Sequence, residues 1–450
     1  MSPAPAGKAR PKRARPSPRK GTRPSKRPAA KGAQSLEHRI LLTATMCLLA
    51  FGAVMVYSAS SATTLLQHQG NGSGYLIRFV IYGGMGLVLM RVLARDGVAK
   101  VHLITAPLLG VSFFLVAASH IPHVGVSVNG ARRWIGPSQF QFQPSELMKL
   151  ALVLYCATLL AKRPARVNDL KDLAKPLLLV VGAGALLVFT QPDLGTALVI
   201  VFTIATMLIA AGIPMRKLGA IAASLAGIIV LYALVRPYAR ARLTSFVDPW
   251  AHASGSGFQA VQGQIAIGSG GLFGVGPGHG VQKILYLPEA PTDFILAVIG
   301  EELGIVGVCA LLFLYGLIAY AGLRAAKAAR SLYSALIAVG VTALILSQAI
   351  LNTFAVLGLA PLTGVPLPFV SYGSSSLVVM LAGMGLLLNV ASGATGHVRG
   401  LAVPQRRSAD ARPRETEGLS GERSAEDRDR SRRDRRARGA GAGGRGRAAG

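Results

Sequence analysis

Apolar runs close to twenty residues long recur along this chain, and they constrain its fold more than any other feature. About 20 apolar residues cross a bilayer as a helix, because a membrane span must satisfy its backbone polar groups internally. Such runs are read at 40–60, 75–94, 102–119, 145–161, 175–190, 193–212, 216–235, 293–322, 332–357 and 369–393. The run 175–190 is short, and Gln191-Pro192-Asp193 leaves only a tight turn before the next. The expected fold is an all-α polytopic integral membrane protein. It has about ten transmembrane helices and a large extracytoplasmic loop between helices 7 and 8. With 51% hydrophobic and 15% charged residues, the composition excludes a soluble enzyme built on one buried core.

Charge sets the orientation. The formal net charge is +29, and the excess sits mostly at the two ends. Residues 1–38 and 398–450 hold too little apolar surface to fold and are expected to be disordered basic tails around a membrane domain at 39–397. The run after the first tail lacks a convincing Ala-x-Ala cleavage site and reads as a retained span. The tails suit the anionic lipids of a cytoplasmic leaflet better than nucleic acid. Arg95 and Lys100, then Lys162, Arg163, Arg166 and Lys171, then Arg216 and Lys217, then Arg324, Lys327 and Arg330 fall in alternate loops. This bias places both termini in the cytoplasm. Cys47, Cys156 and Cys309 lie in separate apolar runs and have no metal-like spacing.

Some basic residues break the pattern. Arg132 and Arg133 precede the fourth span, Arg236, Arg240 and Arg242 open the long loop 236–292, and Lys283 lies near its end. Cations placed against the topology bias suit an anionic ligand at the outer leaflet, a lipid phosphate being the simplest. The alternative is local pairing with Asp248, Glu289 or Asp293. The loop carries GSGGLFGVGPGHG, whose glycines permit close backbone approach to a ligand. Phe258, Leu272 and Phe273 suggest that it lies on the membrane.

The stretch 286–304, YLPEAPTDFILAVIGEELG, joins that loop to an apolar helix and carries Glu289, Asp293, Glu301 and Glu302. An acid at the edge of a span is costly to desolvate and is a functional candidate. Thr292-Asp293 reads equally as a helix cap. Glu301 and Glu302, eight and nine residues on, would share an interior face near Asp293. Glu146 and Lys149 are spaced to pair on one helical face, either beside a site or to fix helix register. Asp193 reads first as a cap. The run 360–376, APLTGVPLPFVSYGSSS, is broken backbone that needs protein or a watery cavity around it. Metal-hydrolase, nucleotide-binding and nucleophile-elbow motifs are absent.

Four segments together resemble the SEDS family of FtsW and RodA peptidoglycan glycosyltransferases. They are GARRWIGPSQFQFQPSELMKL (130–150), QPDLGTA (191–197), ARLTSFVDPW through IGEELG (241–304) and GLAPLTGVPLPFVSYGSSS (358–376). The wording YLPEA and TDF is closer to FtsW. The resemblance implies polymerisation of lipid II, with inversion at the sugar, in an extracytoplasmic site. It implies Asp293 as general base. Arg132, Arg133, Arg240, Arg242 and Lys283 would offset the departing undecaprenyl pyrophosphate, and Glu146, Lys149, Glu289, Glu302 and Ser371 would support the site. It implies a class B penicillin-binding protein as partner, with other divisome membrane proteins, at the division septum. No cofactor is required; a divalent cation, Mg or Mn, is compatible. The chain departs from the family pattern at Pro291 (usually His), Gln264 (usually Ser) and Ser374 (usually Gly). A flippase for a polyprenyl-linked sugar and a non-enzymatic division scaffold are the competing readings.

Overall fold

The computed structural model describes residues 35–66, 72–128, 131–137, 141–162, 170–191, 193–219, 227, 240, 244–284 and 286–393. Residues 1–34 of the first predicted tail, all of the second, most of the run 216–235, Arg236 and Arg242 lie outside the described residues; residues 36–38, expected in the first tail, instead open the first helix. In chain order the elements are α1 (Leu36–Leu66), α2 (Gly74–Ala118), β1 (Gly125–Val128), β2 (Ala131–Ile135), α3 (Pro144–Lys162), α4 (Leu170–Phe189) and α5 (Leu194–Ala210). They continue with α6 (Phe258–Gly270), α7 (Ile295–Ala328), α8 (Leu332–Val356) and α9 (Ser374–Ala391). Among the described residues, α1, α2, α3, α7, α8 and α9 are long and apolar enough to cross a membrane, and α4 and α5 contribute shorter apolar helices.

The α2 stretch is 45 residues long. At ~1.5 Å per residue it would be about twice the thickness of a bilayer core if straight. Its neighbours turn it back. Its start lies beside Tyr372, with the Tyr75 and Tyr372 rings 4.9 Å apart. Its middle reaches the far end of α9, where Asn389 Nδ2 donates to the carbonyls of Ala94 and Arg95. His102 then packs edge-on to Tyr333 at the beginning of α8. The second half climbs along α3, with Ser112 at Met148, and ends where Gln191 donates to Val116 O. The two predicted spans 75–94 and 102–119 are thus joined without a loop.

The helical membrane fold holds, with a small antiparallel hairpin, β1–β2, in the loop before α3. One expectation is corrected: the predicted span 293–322 is two helices. Gly304 sits at φ 66°, ψ −164° and divides α7 into a short segment, 295–303, and a lipid-facing segment from 305. The first segment is enclosed on all sides, and the second exposes Ile305, Val306 and Phe313.

The glycine-rich loop explains how this break is tolerated. Ile305 N and Val306 N donate to Gly271 O and Leu272 O, while Val275 N and Gly276 N donate to Glu301 O and Glu302 O. Four backbone groups beside the break are therefore paired, as a low-dielectric setting demands. The glycines approach another strand of backbone here, not a ligand. A Cβ on Gly304 would stand 2.5 Å from Gly274 N and Leu272 O, and its φ already favours glycine. Gly304→Ala is expected to destabilise the protein by about 2 kcal/mol or more, from backbone strain and the lost strap. Thermal unfolding of the purified protein in detergent is the measurement.

A candidate active site around Asp293

The turn that carries Asp293 is stitched from both sides. Glu289 O accepts the amide hydrogens of Thr292 and Phe294, and Thr292 Oγ1 donates to the Glu289 carboxylate at 3.0 Å. Glu289 itself adopts φ 57°. This is a left-handed conformation that non-glycine residues rarely take, and such strain collects at functional turns. Pro291 O accepts Tyr372 N at 2.9 Å, which ties the turn to the segment leading into α9. The first helical hydrogen bonds are accepted by Phe294 O, so Asp293 stands just outside the helix. Its carbonyl is taken by Asn352 Nδ2 at 2.7 Å.

Asp293 and Glu289 line a cavity of about 180 Å³ together with Arg133, Trp134, Gln143, Gln259, Tyr372 and Ser375. Gly364 forms the wall opposite the carboxylate. A Cβ there would lie 3.3 Å from Asp293 Oδ2, and Gly364 has φ 68°. Glycine at this position keeps the acid accessible.

The arginine comes from the hairpin. Val126 pairs with Trp134 but Ser127 pairs with Arg132, so Arg133 is an extra residue in β2. Regular alternation would send Arg133 and Trp134 to opposite faces. The bulge brings both consecutive side chains to the cavity, a re-aiming that bulges perform beside active sites. Arg132 remains exposed and does not line the cavity.

Asp193 holds this arrangement from behind. It is 1% exposed. One carboxylate oxygen caps α5 by accepting Thr196 N at 3.1 Å and lies 3.8 Å from Arg133 Nη1. The other accepts Gln143 Nε2 at 3.0 Å. The expected cap is present, and the same carboxylate orients two cavity-lining side chains.

The remaining candidates divide between the cavity's supports and more distant places. Lys149 lies 2.8 Å from both Glu146 carboxylate oxygens and donates to Gln348 Oε1, while Gln348 Nε2 donates to Pro366 O and Ser376 Oγ in the cavity wall. The pair predicted from i, i+3 spacing is thus buried behind the site and connected to it. Ser371 is buried, and its hydroxyl accepts Leu367 N, closing the turn before α9. Lys283 does not reach the cavity. It is 3% exposed, and its ammonium is committed to Glu302, Ser58 Oγ and Gly278 O. Glu302 and Glu301 do not line the cavity either. Glu302 also accepts Gly278 N, and Glu301 accepts Val281 N and Gln282 N, so both acids hold the glycine-rich loop. Arg240 is exposed and away from the lining, and Arg242 lies outside the described residues. Trp134, Gln143, Gln259 and Asn352 were not singled out by spacing or charge; Gln143 bonds to Asp193, Gln259 to Pro288 and Asn352 to Asp293, each outside its own element.

A divalent cation at this cavity would find the carboxylates of Glu289 and Asp293. Among the described residues no group of three or more His, Cys, Asp or Glu is placed to hold a metal ion. No chemical step is routed through one.

Known proteins resemble this chain over most of its length. The model of the FtsW/RodA/SpoVE family, described as "Cell cycle protein", matches residues 38–395. Stage V sporulation protein E of Bacillus subtilis is 39% identical over 354 residues, covering 78% of this chain and 96% of that protein. A protein named "Probable peptidoglycan glycosyltransferase FtsW" in Coxiella burnetii is 40% identical over 356 residues, covering 78% and 95%. A chain from a solved peptidoglycan synthase complex that coordinates polymerization and crosslinking superposes with a TM-score of 0.66 at 32% identity, covering 79% of this chain and 98% of that one. The rod shape determining protein RodA of Thermus thermophilus superposes with a TM-score of 0.58, also at 32% identity, covering 79% and 97%. This multi-pass membrane protein belongs to the FtsW/RodA/SpoVE family.

Proposed function

We propose that this protein is a peptidoglycan glycosyltransferase that polymerises lipid II into glycan strands, with Asp293 as its general base. The observation that carries the reading is the cavity in which the Asp293 carboxylate and the Arg133 guanidinium face a common space. A carboxylate within reach of an acceptor hydroxyl takes its proton as the oxygen attacks. The bond from the acceptor 4-oxygen to the donor anomeric carbon forms as the bond from that carbon to the pyrophosphate oxygen breaks, with inversion. Undecaprenyl pyrophosphate departs with the electron pair. Arg133, oriented by Asp193, lies where it offsets the charge that develops on that group.

The placement of the site fits an outer-face reaction. Ser35 Oγ donates to Ala391 O and the His38 ring meets Leu388 O, so the two ends of the described bundle adjoin. Asp293 lies at the other end of α8, beyond Asn352. Combined with the bias of basic loops, this reading puts both termini in the cytoplasm and the cavity outside it. Relatives named FtsW favour a septal role in cell division, and the solved synthase complex favours a class B penicillin-binding protein as partner.

The test is purified protein, with and without a class B partner, incubated with labelled lipid II and resolved on a gel. A glycan ladder is expected. Its absence from folded protein in both conditions, together with lipid II translocation in liposomes, would replace this reading with that of a flippase. In the same assay Arg133→Ala is expected to lower kcat/KM by about 10²-fold, the usual loss when one charge-stabilising donor is removed. Arg132→Ala, on the exposed side of the hairpin, is expected to leave most activity.

A further inference from the structure

We propose that Asn352 is a positioning residue for Asp293, setting both the height of its carboxylate and the width of the cavity it faces. This inference rests on the reading of Asp293 as general base.

Asn352 is on α8, one turn before the helix ends at Val356, and is 2% exposed. Its single amide nitrogen donates to two carbonyls that belong to different loops: Asp293 O at 2.7 Å and Val365 O at 2.8 Å. The orientation of the amide follows from these partners, because the flipped form would turn its oxygen toward two carbonyl oxygens. Both acceptors belong to the walls of the cavity. Asp293 lines one side, and Val365 lies between Gly364 and Pro366, which line the other. A Cβ on Gly364 would stand 3.3 Å from the Asp293 carboxylate across the gap. One side chain therefore ties the two walls together at the depth of the acid.

The backbone explains why this tie carries weight. The first turn of α7 closes on Phe294 O rather than on Asp293 O. A carbonyl turned away from water needs a partner, and Asn352 supplies one to Asp293 O. The acid sits at a turn rather than inside a helix, so no helical ladder fixes its position. Gln348, one turn earlier on α8, makes the same kind of bond to Pro366 O. The two amides form a short ladder along one face of α8, and the Asn352 rung is the one that reaches the reacting acid. Asn352 Oδ1 is buried and accepts no hydrogen bond. The amide is held by its donors alone, which fits a group whose task is to fix carbonyls.

A displacement of about 1 Å at a reacting group costs on the order of 10²-fold in rate. Asn352→Leu keeps the branching at Cγ, in a somewhat larger side chain, and removes both donors. It is expected to lower kcat for lipid II polymerisation about 10²-fold while changing lipid II affinity less than about threefold. A cycle with Asp293→Glu separates positioning from general support. If Asn352 acts through Asp293, Asn352→Leu costs much less on the Asp293→Glu background, where the carboxylate is already displaced, than in the wild type. Equal costs on the two backgrounds, an unchanged kcat, or parallel loss of affinity and kcat would overturn the proposal. Should Asn352→Leu fail to fold, Asn352→Ser is read by the same criteria. Asp293→Asn is run alongside. If that variant polymerises normally, the base assignment fails. If it is inactive while Asn352→Leu is fully active, only the positioning role fails.

Discussion

Replacing Asp293 by asparagine is expected to abolish glycan polymerisation while leaving the protein folded and inserted. General-base catalysis is worth roughly 10²–10⁴-fold, so loss of the proton acceptor takes the rate to the floor of a gel assay. The fold should tolerate the change, since the backbone bond from Asn352 to Asp293 O does not depend on the side chain. The amide also fits beside Gly364, where the carboxylate oxygen already has room. Lipid II affinity should change little, because Arg133, Trp134 and Gln143 remain in the cavity wall. A ladder of normal length and rate from Asp293→Asn would remove Asp293 from the mechanism. Loss of substrate binding in parallel with activity would make it a binding group instead.

The second large effect concerns stability. Lys283 and Glu302 form an ion pair in which the side chains are 3% and 0% exposed, and Ser58 of α1 bonds to both partners. Removing one member of a buried pair leaves the other charge uncompensated and costs about 3–5 kcal/mol. Lys283→Met is therefore expected to lower the melting temperature of the purified protein sharply. Glu302→Gln should be milder, since it still offers an acceptor to Gly278 N and Ser58 Oγ. The double variant Lys283→Met/Glu302→Gln should be more stable than the sum of the single effects implies, because neither charge is then left alone. Strict additivity would show that the two residues act independently. Activity should fall with stability in this series, because the strap that these residues hold braces the helix that begins beside Asp293.

The contrast between Lys283 and Arg133 shows where sequence reading reaches its limit. Both are cations that the loop charge bias reads as outer, and the resemblance assigns both to the departing pyrophosphate. Only Arg133 reaches the cavity. Lys283 is held by Glu302, nineteen positions later in the chain. Nothing local distinguishes the two. What separates them is a bulge in β2 in one case and a loop folded back on a broken helix in the other. In the same way, 293–322 reads as one span because its apolar run is continuous around Gly304. The break is stable only because residues 271–276 supply partners for the freed backbone groups.

The sequence by itself determined the membrane class, most of the span positions, the placement of Asp293 at a loop-to-helix junction and the Glu146–Lys149 pair. These follow from hydropathy and from spacing along one helix, which are local quantities. Tertiary structure alone decided which arginine faces the acid, that Asp193 serves α5 and Arg133 together, and that Asn352 holds Asp293 across from Val365. Those are pairings between residues up to 60 positions apart. Their partners are chosen by the packing of helices and loops, because each buried polar group must find a mate and the chain pattern does not say which one.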